Sequence, residues 1–447
     1  MDRSLSAVIF GTLTLRFSTG LTGALLGYYL ANLSRHGGEE VGPVVVGAFA
    51  ATFYAAELLL SPFFGILSDR LGHHRVMLIG PVFGGIAVIM TGLTTNLLLL
   101  GGTRWLEGAS TAASVPSILG YLAMATAFDE GLRGRAVARF EAATLAGLGL
   151  GVVAAGVLYQ LLGPVAFFLN AVIYGVSWLI YRFGVAHPAP AEQATIPAGS
   201  AHYGWRRYLD LVTSSHVWLL APTWICVNAS IGLWFSQSIY QFAREDARFP
   251  DQVLLRGFSP LEITVAALVI FAIFGAGLFY WGRRFAALRR TTIIFYGILG
   301  GAALVAAAMV VNHGDGLPVV LVAGAGLLAA AGLFVLAGAT PAALGLLADI
   351  SERFPTDRGA IMGLYSVFLA LGQIAGSLIG GTAAEWRGID GMLLATFGLM
   401  ALALLPLARL RAYEHVVGGA EPDVVRTGEG PPATDGARAA EGEPTSG

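Results

Sequence analysis

The chain has 447 residues, of which 56% are hydrophobic and 12% are charged, and its formal net charge is −2. Soluble globular domains carry about 25% charged residues, so this composition indicates a protein that lies mostly in a lipid bilayer. The charge balance offers no basic surface for nucleic acid. The single cysteine, Cys226, excludes an intrachain disulfide framework, and the absence of lysine excludes a P-loop nucleotide site and Schiff-base chemistry.

Apolar runs of about 20 residues, long enough to cross a bilayer as a helix, recur along the whole chain. We interpret twelve runs as spans, numbered 1 to 12 in chain order. The first is too long for a signal peptide and no small-residue cleavage site follows it, so we expect it to remain as span 1. The predicted spans are residues 7–32, 43–67, 75–95, 97–125, 136–159, 164–184, 215–241, 260–282, 291–312, 317–347, 358–382 and 390–410.

Arginine is concentrated at the N-terminus and in the segments that follow the even-numbered spans. Examples are Arg70, Arg133, Arg206, Arg283 and Arg353. Because basic residues are retained on the cytoplasmic side, these segments are predicted to be cytoplasmic. With an even number of spans, both termini are then cytoplasmic, and we expect a multi-pass protein of the plasma (inner) membrane.

A polar segment divides the chain between spans 6 and 7. Residues 187–204, HPAPAEQATIPAGSAHYG, are rich in Pro and Ala, and WRRYLDLV after them is compatible with a short helix on the membrane surface. The tail is rich in Gly, Pro, Thr and Glu, which predicts disorder. The predicted domains are an N-terminal six-helix bundle, a cytoplasmic linker, a C-terminal six-helix bundle and a disordered tail, at residues 1–185, 186–214, 215–411 and 412–447.

The second half of the chain repeats the first at an offset of 225 residues. Arg133 and Gly134 align with Arg358 and Gly359, and four further glycines of spans 5–6 align with glycines of spans 11–12. Related membrane halves joined by a cytoplasmic linker are typical of transporters whose site lies between the halves.

Three short motifs make the resemblance specific. GILSDRLGHHRV, residues 65–76, resembles the G-x-L-x-D-R-x-G-R-K signature of the major facilitator superfamily, and RWLEG, residues 104–108, resembles its R-x-x-Q-G. GLGLGVVAAG, residues 147–156, resembles the exporter pattern G-x-x-x-G-P-x-x-G-G, with Val152 in place of Pro. The resemblance covers the chain except its tail. It implies an all-α membrane protein whose twelve transmembrane helices form two pseudo-symmetric six-helix bundles.

The resemblance also implies a cytoplasmic gate. Asp69 is expected to face the N-terminal end of span 11 near Arg358, where free N–H groups favour an anion, and Arg70 is expected to join carboxylates of neighbouring loops. Gly65 and Gly72 would allow a tight turn and close helix approach. The gate closes this side while the protein is open outward. The alternative interpretation is a topological anchor that only keeps positive charge inside.

Charged side chains at membrane depth cost about 2.5–3.5 kcal/mol each on insertion scales, so each is a candidate for function. Arg16 and Glu57 have similar predicted depth, and we expect an ion pair that is either structural or a proton site. Arg104 and Glu107 are three residues apart on one helix and can pair with each other. Glu141 is expected to belong mainly to the inner charge network. These five residues are the proton-coupling candidates.

The second half carries aromatic and amide groups instead of deep charges. A mostly apolar cavity with a few polar groups suits a lipophilic substrate, although Trp and Tyr are also common in interhelical and interfacial packing. None of the eight His lies in the middle of a span, which argues against a metal site and a histidine relay. The substrate-cavity candidates are Trp224, Asn228, Trp234, Phe235, Gln237 and Gln373.

These features predict a secondary active transporter that works by alternating access. We expect a proton-coupled exporter of small hydrophobic or amphipathic compounds, acting as a monomer in the lipid bilayer, with no cofactor and no nucleic-acid partner. The alternatives are an importer of a metabolite or sugar, or a lipid flippase. A polytopic membrane enzyme and a transport-inactive sensor are the rival classes, and no catalytic arrangement at membrane depth supports an enzyme.

Overall fold

The computed structural model describes residues 3–126, 129–186, 213, 217–284, 288–352 and 358–413. Within these ranges it leaves aside the side chains of residues 130, 133, 348–349, 351–352, 358–363 and 365. Most of the predicted linker and tail therefore lie outside the described residues, as do the side chains of Arg133 and Arg358.

The described residues are almost entirely helical, and we number the helices to match the predicted spans. They are α1, Arg3–Ala31; α2, Pro43–Leu71; α3, His73–Met77 with Ile79–Leu93; α4, Leu97–Ala125; α5, Glu130–Leu162; α6, Ala166–Gly184; α7, Ala221–Ala243; α8, Pro260–Gly282; α9, Arg290–Asn312; α10, Val319–Leu336 with Ala339–Glu352; and α11 and α12, the two parts of the run Arg358–Ala412, which non-helical backbone at Arg387 and Gly388 divides.

Eight helical runs of the described chain are long and apolar enough to cross a membrane. Two of these runs each hold a pair of helices, α5 with α6 and α11 with α12. The helices α4 and α7 are outside this set because they carry more polar side chains, many of which are buried against other helices. The prediction of an all-α membrane protein is confirmed.

Local sequence explains several helix boundaries. Pro43 stands at the first turn of α2, where its missing N–H would have no helical partner. Asn96 caps α4 by accepting from the N–H groups of Leu98 and Leu99. Gly72 ends α2 with a φ of 92°, a conformation that favours glycine, and so turns the chain directly into α3.

Helix α5 packs on α1 in the same way as α11 packs on α7. A β-carbon added to Gly147 would lie 2.8 Å from Cβ of Arg16, and one added to Gly372 would lie 2.5 Å from Cβ of Asn228. The 225-residue offset between these glycines thus corresponds to equivalent close contacts. The reverse contacts are also equivalent, with Gly20 against Leu148 and Gly232 against Gln373.

Helix α2 runs between the two ends of the molecule, with Glu40 just before it and Asp69 in its last turn. We call these ends the Glu40 end and the Asp69 end. Toward the Glu40 end, α1–α6 contact α7–α12: the Tyr28 hydroxyl donates to the Pro260 carbonyl over 3.4 Å, and the Thr264 hydroxyl donates to the Val153 carbonyl over 3.4 Å. The Glu40 end is therefore closed between the halves.

Candidate functional site

The Arg104–Glu107 ion pair lies inside the first half. The guanidinium contacts the Glu107 carboxylate directly, and the two side chains are only 7% and 3% exposed. The Arg104 guanidinium also lies 5.3 Å from the ring centroid of Phe53 on α2. Gly108 allows this proximity, because a β-carbon there would lie 2.7 Å from Cβ of Ala56. The structure contains the predicted pair, and its part in proton coupling stays a prediction.

Arg16 on α1 interacts electrostatically with two carboxylates, Glu57 on α2 and Glu141 on α5. The described residues form no direct Arg16–Glu57 ion pair in this conformation, and the part of both residues in proton coupling stays a prediction. The Gly147 contact brings α5 beside Arg16, so the guanidinium has a second anionic neighbour in Glu141.

Glu141 lies near Arg16, and its expected place in the inner charge network stays a prediction. It is exposed, and it lies on nearly the same face of α5 as Leu148, which packs against Gly20 of α1. This face of α5 places the Glu141 carboxylate near Arg16 of α1.

Tyr54 is a site residue that the sequence did not single out. It precedes Glu57 by three residues on α2, and it lies in the combined electrostatic field of Glu57, Arg104 and Arg16. Tyr54 therefore lies near both the buried Arg104 and the Arg16–Glu57 group. The sequence signal that could have identified Tyr54 is its hydroxyl three residues before a membrane carboxylate on the same helix.

The predicted gate segment is exposed at the Asp69 end. The Asp69 carboxylate is 72% exposed, and its Oδ1 lies 3.9 Å from Nε2 of His73. His73 fills the space beside Gly120 of α4, where a β-carbon would lie 2.6 Å from its ring. Among the described side chains, the nearest atom to a β-carbon on Gly65 is Cβ of Pro116 at an ordinary 3.9 Å, and the close approach expected at Gly65 stays a prediction. The contact of Asp69 with the start of α11 stays a prediction.

Most substrate-cavity candidates lie in helix packing. The Trp234 indole donates to Thr396 on α12 over 3.0 Å, so this ring faces away from the first half. Trp224 is buried in the core of the second half, and Asn228 donates to its carbonyl over 2.9 Å. Gln373 is buried against Gly232. In this conformation these four residues take part in helix packing, and their part in substrate binding stays a prediction.

Phe235 remains as an accessible aromatic candidate. It is 59% exposed, and it lies one turn before Ile239 on the same face of α7. Ile239 contacts Gly27 of α1, so this face is turned toward the first half. Gln237 is fully buried and donates to the Pro43 carbonyl over 3.0 Å, which places it in the closed Glu40 end and not in a cavity.

The fold and this arrangement of charges define a membrane transporter. The family model of the Major Facilitator Superfamily matches residues 8–326, and the chain belongs to this family. It is a multi-pass membrane transporter of small molecules and not an enzyme.

Named relatives include resistance proteins. The chain is 25% identical over 342 residues to multidrug resistance protein 2 of Bacillus subtilis, covering 75% of this chain and 79% of that protein. It is 26% identical over 240 residues to the methylenomycin A resistance protein of Bacillus subtilis, covering 53% and 50%. A shorter match, 32% identical over 124 residues and covering 28% and 23%, is to the human chromaffin granule amine transporter.

Among solved structures, the nucleoside transporter NupG superposes with a TM-score of 0.67 at 14% identity, covering 92% of this chain and 99% of that chain. At this identity the likeness shows the fold alone.

Proposed function

We propose that the protein exports small lipophilic compounds, with weakly basic amines as the preferred class, in exchange for protons. The observation that carries this proposal is the group Arg16, Glu57 and Glu141, in which one guanidinium lies near two carboxylates and, among the described residues, forms no direct ion pair with either. The resistance proteins and the amine transporter among the relatives support the same direction and substrate class.

The charges of this group explain how protons and an amine would exchange. With both carboxylates ionised, the group carries one positive and two negative charges, so its net charge is −1. Either one proton or one cationic amine neutralises it, and a charge in a low-dielectric site favours neutralisation. Because both ligands need the same negative charge, binding of one weakens binding of the other, which is the requirement for exchange.

The second half supplies the apolar part of the site. Phe235 is accessible on the face turned toward the first half, and burying apolar ligand surface contributes about 25 cal/mol per Å² without fixed polar partners. A sugar or nucleoside needs several free hydrogen-bonding groups, but Asn228 and Gln237 are engaged with the backbone of neighbouring helices or their own. This difference favours lipophilic cargo over a hydrophilic metabolite.

Orientation follows from the arginine distribution. We place both termini in the cytoplasm, in a plasma membrane, which makes the Asp69 end cytoplasmic. The structure, closed at the Glu40 end, is then closed on the outer side, as is required of a form that loads cargo from the cytoplasm or the inner leaflet. Alternating access requires a second form that is closed at Asp69.

Flux into proteoliposomes tests the proposal. A fluorescent lipophilic amine should accumulate against its gradient only when a pH gradient is imposed. Glu57→Gln and Glu141→Gln should lose this accumulation, whereas Glu39→Gln, which alters an exposed loop carboxylate, should keep it. Transport of a hydrophilic nucleoside that no lipophilic amine competes, or accumulation that ignores the pH gradient, would overturn the proposal.

A further inference from the structure

Two side chains of α7 and that of Arg244, which directly follows the helix, form successive contacts with the segment that leads into α2. Gln237 Nε2 donates to the Pro43 carbonyl over 3.0 Å, the Tyr240 hydroxyl donates to the Val41 carbonyl, and Arg244 Nη2 donates to Oε1 of Glu40 over 3.2 Å. These donors are at i, i+3 and i+7 and lie on one face of α7. We call this set of three donors the α7 ladder.

Neighbouring groups orient each rung of the α7 ladder. Gln241 donates to Oε1 of Gln237 over 3.4 Å, which leaves the Gln237 amide nitrogen to face Pro43. Arg244 Nη1 donates to the Tyr240 hydroxyl over 2.7 Å, so that hydroxyl uses its own hydrogen for Val41. The ladder is thus a connected network and not three separate contacts.

The Val41 and Pro43 carbonyls, which accept hydrogen bonds from the α7 ladder, lie at the point where α2 begins. The Val41 carbonyl precedes α2, whose first backbone hydrogen bonds run to Gly42, so Val41 is available to another helix. The start of α2 is also held by α11, because a β-carbon on Gly381 would lie 2.8 Å from the Pro43 carbonyl. Gly47, one turn into α2, packs directly against the Ser377 carbonyl.

The location distinguishes these contacts from ordinary helix packing. Each rung joins the first half to the second, and Gln237 and Tyr240 are at most 1% exposed. Access from the Glu40 end requires the halves to separate at this surface, so every rung must break when that end opens. Two of the three rungs are neutral hydrogen bonds, which can be exchanged for hydrogen bonds to water at small net cost. Such a contact can close firmly and still open in each cycle.

We propose that Gln237, Tyr240 and Arg244 are gating residues that hold the Glu40 end closed. The α7 ladder is the counterpart, at the opposite end, of the gate predicted at Asp69. This inference rests on membership of a transporter family and on the closed Glu40 end. It does not depend on the nature of the cargo or on protons.

Cysteine labelling tests the α7 ladder directly. In a Cys226→Ser background, Val46→Cys places one thiol in the buried contact beside the ladder, where Val46 is 5% exposed. A membrane-impermeant maleimide is applied from the Glu40 side to protein in liposomes without cargo. Tyr240→Phe should raise the labelling rate about two- to tenfold, the effect of losing one neutral hydrogen bond from the closed form only.

A matched control separates gating from stability. Tyr29, which is equally buried near the same end, donates its hydroxyl to the Thr94 carbonyl over 3.1 Å, and both residues belong to the first half. Tyr29→Phe removes the same chemical contact without touching the surface between the halves, so labelling should not change. If Tyr240→Phe does not fold, Gln237→Leu replaces it with the same expected result. Equal labelling of the ladder variant and Tyr29→Phe would overturn the inference, whatever the flux assays show.

Discussion

Replacing Gly147 by alanine is expected to displace Arg16 without changing any charge. The new β-carbon would lie 2.6 Å from the Leu13 carbonyl oxygen, 2.8 Å from Cβ of Arg16 and 3.0 Å from the Phe17 nitrogen. Ordinary van der Waals contacts are 3.4–4 Å, so α1 and α5 must separate by roughly 0.5–1 Å. Overpacking of this kind costs about 1–3 kcal/mol of stability.

The displacement should alter the pH dependence of transport. Moving α1 away from α5 carries Arg16 away from Glu141. With an effective dielectric constant of about 20, increasing a charge separation from about 5 to about 6 Å weakens the attraction by about 0.5 kcal/mol, equivalent to about 0.4 pH unit. The carboxylates then hold a proton more readily, so the pH of half-maximal flux should rise by about that amount.

Gly372→Ala is the matched control, because its β-carbon makes the equivalent clash with Asn228, which carries no charge. Both variants should lose similar thermal stability in detergent. Proton-driven flux in proteoliposomes, measured across pH, should shift only for Gly147→Ala. Identical pH profiles of the two variants would refute the assignment of Arg16 to the coupling site.

Three further outcomes are expected. Asp69→Asn should fold but lose most transport and leave the Asp69 end more accessible to cysteine reagents; normal transport would leave only the anchor interpretation. Phe235→Ala should change which compounds are exported, whereas Trp234→Ala should mainly lower stability, and the reverse result would show that Trp234 contacts cargo. The hydrogen bond from Arg248 holds the pKa of Asp246 below its ordinary value. Its stabilising contribution should therefore be complete above about pH 4 and be lost as pH falls through the lowered pKa, seen by comparing thermal unfolding with Asp246→Asn across pH.

Local patterns in the sequence predicted the features that lie within a single helix or turn. Hydropathy placed the spans, the glycine at 72 predicted the turn, and the spacing of Arg104 and Glu107 predicted their ion pair. The sequence did not predict the contacts that depend on how one helix is rotated against another. Trp234 and Phe235 are adjacent in sequence, yet one faces α12 and the other faces the first half. That difference is set by tertiary packing, which the sequence pattern of a single membrane helix does not specify.

The helix α2 joins the features proposed for gating and coupling. It begins at the acceptors of the α7 ladder, carries Glu57 roughly 21 Å further along, and ends at Asp69. The part before Pro62 has an uninterrupted helical backbone, so opening at Val41 must also move Glu57 relative to α1.

Opposing changes at the two ends of α2 should therefore compensate. Tyr240→Phe weakens closure at the Glu40 end and favours the outward-open form, while Asp69→Asn weakens closure at the other end and favours the inward-open form. The double variant should have a labelling rate at Val46→Cys between those of the single variants and should recover part of the transport lost in Asp69→Asn. Transport in the double variant that is no better than in Asp69→Asn alone would show that the two ends are not linked through one equilibrium, because two opposite biases on a single two-state balance must partly cancel.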